Sequence, residues 1–282
     1  MKHVLSIILV CTFLSCQDVV EIDVPSEDPR LIVDAVVRID TNLAITEVKV
    51  IVSETNAFFE TIAPTNLQQI TLSNLDNPVG GDGIVLVEEE PGSGIYVKSL
   101  STLSLIQDRW LLQIDFEDRF YLAEASFQPA PDIDSLTIGD GTLFGDDETE
   151  IIVSYTDIPE QENYYIFDFG FNEFLATEDT FYQDQDFEFS FFYDQIFEPG
   201  TELTVSILGS DKDFYEYFDE LIVQSDDSGN PFQTPTVTVR GNIINVTDID
   251  NDGTFDNVGD QDNFALGYFA LVQEFKKTVV TE

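Results

Sequence analysis

The chain has 282 residues, 55 of them acidic and 11 basic, and a net charge of −44. A charge of that sign and size repels polyanions, which excludes nucleic acid as a partner and argues against direct adsorption to anionic lipid. The 24 Phe and 10 Tyr supply a core that disordered acidic chains lack, and the length suits two domains of about 100 to 150 residues each.

The chain begins with Lys2 and His3, then an apolar run of eleven residues, "VLSIILVCTFL" (4–14). A bilayer-spanning helix needs about 20 apolar residues, so this run is too short to cross and has the length of a signal-peptide core. It ends in "FLSC", a small residue directly before cysteine, which is the pattern of a bacterial lipoprotein signal. Residues 1–15 then form the signal peptide and Cys16 carries the lipid; the other reading is an ordinary signal cut elsewhere. Residues 16–29 form a tether. Removing the signal takes away His3, the one histidine, and Cys11. What remains has no Ser-His-Asp triad, no cysteine nucleophile, no zinc site of the His or Cys kind and no disulfide.

The rest reads as all-β: two β-sandwich (Ig-like) domains, 30–128 and 129–282, the second carrying one amphipathic helix. "RLIVDAVVRI" (30–39) is a β-branched run suited to a buried strand. "ITEVKVIVSET" (45–55) alternates through Ile45, Val48, Val50 and Val52. "RWLLQIDFEDRFYLAEASF" (109–127) is a hairpin with arms Trp110 to Phe116 and Phe120 to Phe127, turning near Glu117 and Asp118. Pro129 and Pro131 then interrupt any ladder and mark the boundary between domains.

The second half resumes with strands at "SLTI", "TEIIVSYTDI", "NYYIFDFGF", "FEFSFFYDQIF" and "TELTVSILG". Residues 163–197 hold fourteen aromatics, many of them at period two: Tyr165, Phe167, Phe169, Phe171, Phe187, Phe189, Phe191 and Tyr193. Such a pattern fills a sandwich core. Exposed aromatics would instead form stacking platforms for sugars, with Phe181 and Tyr182 the first candidates. In "SDKDFYEYFDELIVQ", Phe214, Tyr217, Phe218, Leu221 and Ile222 recur at i, i+3, i+4, i+7, i+8 and make one helical stripe over about 211–224. Ser210 or Asp211 caps it, and Asp213 and Glu216 suit the positive end of its dipole. The stripe packs on a sheet as a lid or crossover, or it docks a partner. The chain closes with "NFALGYFALVQEFKKTVV", a long strand or hairpin.

The acidic loop 248–263, "DIDNDGTFDNVGDQDN", has calcium-loop spacing. Asp248, Asp250 and Asp252 take positions 1, 3 and 5, Gly253 supplies the turn, the Thr254 carbonyl falls at position 7 and Asp256 at position 9. Position 12 is Gly259, where an EF-hand has a bidentate glutamate, so Asp260 or Asp262 would have to substitute. The expectation is weak, structural Ca²⁺ binding through Asp248, Asp250, Asp252, Thr254, Asp256 and Asp260. The alternative is a solvated hairpin tip.

"CQDVVEIDVPSEDPRLIVDAVV", "GSGIYV", "PAPDIDSL", "NYYIFDF", "PGTELTVSILGSDKDFYEYFDEL", "NPF" and "ALGYFALVQEFKKTVV" occur in an order that resembles a Bacteroidota lipoprotein family, the domain-of-unknown-function family 4249. The resemblance implies an outer-membrane lipoprotein encoded beside TonB-dependent transporters. It carries over Cys16 as the lipid site and no catalytic residue. Against that family pattern, loop 248–263 looks like an insertion. The functional expectation is a non-catalytic accessory, ligand-binding or assembly partner of a TonB-dependent transporter, on the outer membrane and facing outward, with the periplasmic face as the other reading, its ligand unknown. The alternatives are a carboxylate-dependent glycoside hydrolase, which needs two acids about 5 to 9.5 Å apart, and a structural subunit of another outer-membrane complex.

Overall fold

The computed structural model describes residues 29–56, 62–78, 83–143, 145, 147–180, 185–225, 239–247 and 264–281. Loop 248–263, with all six expected calcium ligands, lies outside the described residues, as do Cys16, Phe181 and Tyr182. The fold is all-β, with several sheets and little helix.

The first half supplies strands β1 (Leu31–Ile39), β2 (Ile45–Glu54), β3 (Ala63–Pro64), β4 (Gln69–Asn74), β5 (Ile84–Val85), β6 (Val87–Glu88), β7 (Ile95–Ser101), β8 (Trp110–Phe116), β9 (Arg119–Ala125) and β10 (Phe127–Gln128). Helix α1 (Thr102–Gln107) interrupts them after β7. The second half supplies β11 (Ile133–Ile138), β12 (Thr149–Thr156), β13 (Tyr164–Asp168), β14 (Phe174–Glu178), β15 (Asp186–Tyr193) and β16 (Glu202–Ser210). Helix α2 (Lys212–Ser225) follows, then β17 (Ile244–Asn245) and β18 (Leu266–Val280).

Three sheets are built from these. One runs β14-β13-β16-β18-β1-β2-β7-β6, with β10 beside β18 and β3 beside β2. The others are β17-β9-β8-β4-β5 and β11-β12-β15. The long sheet is continuous across both halves of the molecule because β18 serves both. Its first part, Leu266 to Gln273, pairs in parallel with β1, and its second part, Glu274 to Val280, pairs antiparallel with β16. The division at 128/129 therefore does not separate the strands of the two sandwiches: β17 pairs with β9, and half of β18 completes the first sandwich. No local signal marks this, because strand pairing at such sequence distance is set by which edge is open.

Two cores lie on one face of the long sheet. Leu31, Val33, Ala35, Val37 and Ile39 point into the first, with Val48, Val50, Val52, Trp110, Phe269 and Leu271. Tyr165, Phe167, Phe169, Leu203, Val205 and Ile207 point into the second, against Ile151, Val153 and Tyr155. The opposite face is covered by α2, which packs Phe214 on Ile166, Leu208, Tyr268, Ala270 and Val272. Strands covered on both faces lose the polar alternation of half-exposed strands. That is why "YYIF" and "GYFALV" read as continuous apolar runs, whereas β1 alternates and exposes Asp34 and Arg38. In β2 the alternation is real, but its inward set is Thr46, Val48, Val50 and Val52; Ile45 is 56% exposed. Thr46 is accommodated because its hydroxyl shares a 2.8 Å hydrogen bond with that of Thr102 in α1.

Candidate functional site

Helix α2 begins on Asp211, whose Oδ1 accepts the Phe214 amide at 2.8 Å. Burial raises the Asp211 carboxyl above its usual range, and the amide hydrogen bond partly offsets this. Phe214, one turn in, is 1% exposed and seats on Tyr268 with ring centroids 4.8 Å apart. Tyr217 also meets Tyr268, at 4.9 Å, and Phe218 meets Phe174 at 5.3 Å. These aromatic pairs fix the N-terminal half of the helix to the sheet.

The C-terminal half does not close on it. Leu221 and Val223 are 36% and 64% exposed. Beneath this end lies a groove of about 580 Å³. Its floor is the outward face of β1 and β18, with Ile32, Val36, Leu266 and Gly267. Tyr217, Phe218, Leu221 and Gln224 form the helix wall, and Val239 closes the far side. The stripe found by spacing is thus split in use: Phe214, Tyr217 and Phe218 anchor, and Leu221 overhangs.

At the floor, two glycines let backbones cross closely. Gly267 has φ +102°, and a Cβ there would lie 1.9 Å from the Val33 carbonyl oxygen. A Cβ on Gly241 would lie 1.6 Å from the Gly267 carbonyl oxygen. Among the described residues lining the groove, Asp34 is the single carboxylate. Burial, and then the Asp34 charge, push the Tyr217 hydroxyl up to about 12. The groove is therefore mostly apolar, its polar groups being the Asp34 carboxylate, the Gln224 amide and the phenols of Tyr217 and Tyr268. It resembles a binding surface in size and character.

Arg38 lies on the same sheet face, where it joins the two halves. Its guanidinium donates to Asp168 at 2.7 Å and to Glu274 at 3.3 Å. Burial alone would lower its pKa, but the Asp168 hydrogen bond and charge outweigh this and raise it.

The base of the acidic loop is described even though the loop is not. Ile244 and Phe264 form an antiparallel bridge on either side of it. Arg30 and Arg240 stack on the Phe264 ring, at 4.4 and 4.2 Å from its centroid. Two of the chain's few cations therefore stand where a highly acidic segment leaves and returns.

Of the period-two aromatics, Tyr165, Phe167 and Phe169 are fully buried, and Tyr193 is 1% exposed. Phe187, Phe189 and Phe191 pack against them from the facing sheet, and Phe171 alone of the set turns outward, at 55% exposed. All but Phe171 therefore form a core, and the platform candidates Phe181 and Tyr182 lie outside the described residues. The sequence reading found one wall of the groove and missed its floor, since Tyr268 and Gly267 carry no mark in the sequence until the strand pairing is known.

The profile of a protein family described as "Domain of unknown function (DUF4249)" matches residues 17–254. The match begins directly after Cys16, ends inside the acidic loop and leaves the closing strand outside it. No curated protein matches the chain.

Proposed function

The chain belongs to the DUF4249 family, whose function is unknown, and from that starting point we propose that it is a non-catalytic, lipid-anchored outer-membrane protein that works with a TonB-dependent transporter. The observation that carries this reading is the groove beside α2. It is mostly apolar and about 580 Å³, so it suits an uncharged ligand or an apolar segment of a partner. The strongly acidic chain disfavours anionic ligands. The lipoprotein pattern ending at Cys16 supports attachment. The transporter partnership rests on the family resemblance of the sequence.

Glycoside cleavage is the weaker reading. It needs two carboxylates facing each other across a cleft, and the described lining of the groove offers Asp34 alone. No described helix is long and apolar enough to cross a membrane; attachment is assigned to the lipid on the strength of the lipoprotein pattern. Affinity purification from detergent-solubilised native outer membranes is the test. Recovery of a TonB-dependent transporter with the protein supports the proposal. Recovery of the protein alone, under conditions that preserve known outer-membrane complexes, overturns it.

A further inference from the structure

At one end of the second sandwich, two aspartates are buried together. Asp157 is the first residue after β12, and Asp179 is the first after β14. They are 3% and 0% exposed. Their backbones extend the ladders by one bond each, Asp157 N–H to the Gln185 carbonyl and Asp179 N–H to the Asn163 carbonyl, both at 3.1 Å. Both carboxylates act on one phenol: Tyr165 donates to Asp157 Oδ1 at 2.7 Å, and Asp179 also bears on it through space.

Asn163 links the two loops. Its Nδ2 donates to the carbonyls of Ile158 at 2.7 Å and Gln161 at 3.1 Å, and to Asp179 Oδ2 at 3.3 Å. That accounts for one oxygen of Asp179. The other, Oδ1, is buried and has no hydrogen-bond partner. A buried carboxylate oxygen without a partner is costly, and a second buried carboxylate in the same network compounds the cost. The sequence supplies no local remedy, because no lysine or arginine occurs between Arg119 and Lys212.

We infer that Asp157 and Asp179 form a divalent-cation site, with Ca²⁺ the matching ion, at the loop end of the second sandwich. The donors are all oxygen, which selects a hard cation. Among the described residues no three carboxylate, histidine or cysteine side chains converge on one point. Backbone carbonyls and water must then complete the six to eight oxygens Ca²⁺ takes, which places the affinity in the weak range of extracellular modules, about 10⁻⁴ to 10⁻³ M. The ion ties Asp157, at the end of β12, to Asp179, at the end of β14, and has no part in catalysis. This site is separate from loop 248–263.

The test is calorimetric titration of the chelator-treated mature protein with CaCl₂ at low salt. All variants carry Asp250→Ala and Asp252→Ala, so that the acidic loop does not contribute. This background variant should take up Ca²⁺ and melt at a higher temperature with Ca²⁺ than with chelator. Adding Asp179→Asn, which preserves shape, should weaken binding by about tenfold or more, the scale on which carboxylate count tunes calcium sites. Adding Asp34→Asn, in the groove, should leave it unchanged. Absence of Ca²⁺ uptake by the background variant, or equal uptake with Asp179→Asn, overturns the inference. If Asp179→Asn does not fold, Asp157→Asn decides by the same criterion.

Discussion

Gly267 is the residue on which the junction depends most. Its positive φ excludes side chains on strain alone, at about 1–3 kcal/mol, and a methyl group would strike the Val33 carbonyl oxygen. Gly267→Ala should therefore lower stability by at least that amount in denaturant titration, with Gly92→Ala, which meets nothing within 4 Å, as the control for left-handed backbone without a clash. Phe214 is the corresponding anchor on the helix. Truncation to Ala should cost about 3–5 kcal/mol, towards the lower end because the neighbouring groove lets the site relax. The tyrosines set the alkaline limit. Burial holds the hydroxyls of Tyr193 and Tyr217 at about 12 and raises those of Tyr165 and Tyr268 as well. An unfolded tyrosine ionises near 10. The unfolded state thus releases protons first, and stability present below pH 10 is lost as pH rises toward 12. Tyrosinate absorbance and circular dichroism should change together in that window; ionisation of all tyrosines near pH 10 in a folded protein would contradict this.

At the scale of elements, α2 and β18 determine how the molecule is put together. The helix was legible in the sequence because Phe214, Tyr217, Phe218, Leu221 and Ile222 share one stripe, and nothing else in the chain has that period. The hairpin β8–β9 was legible too, since its apolar arms flank Glu117 and Asp118, and Glu117 takes the left-handed conformation of a turn, φ +53°. Strand β18 was not. Its apolar run predicts burial, but nothing in "LGYFALVQEFKKTVV" says that it changes partner between Gln273 and Glu274. The six-residue α1 is too short to show a period. Asp157 and Asp179 were hidden for a different reason: among 55 acids, no single acid stands out until burial is known. A proline in β18 exploits the sharing. Val272→Pro removes an amide from a strand with neighbours on both sides, so it should disrupt both sandwiches together. Proteolysis fragments retaining an intact second sandwich would show that β18 does not couple them.

At the scale of the whole molecule, a continuous sheet and the Arg38 bridge predict a single cooperative unfolding transition by calorimetry, whereas two separable transitions would mean that the sandwiches are energetically independent. A net charge of −44 destabilises the compact state by self-repulsion, so the melting temperature should rise with ionic strength until screening is complete. Attachment is expected to rest on one residue: Cys16→Ala should move the protein from the membrane fraction to the soluble one. The groove is the proposed working surface, and it can be altered without touching the core. Leu221 overhangs it and is partly exposed, so Leu221→Asp should leave folding intact while placing a charge at the mouth. Leu143→Asp changes an exposed leucine outside the groove lining and serves as the control. Purification of both variants from native outer membranes tests the central claim most directly. The account predicts that the Leu143 variant brings down the transporter and the Leu221 variant does not. Equal recovery of a transporter with both, or of none with the unaltered protein, would contradict it.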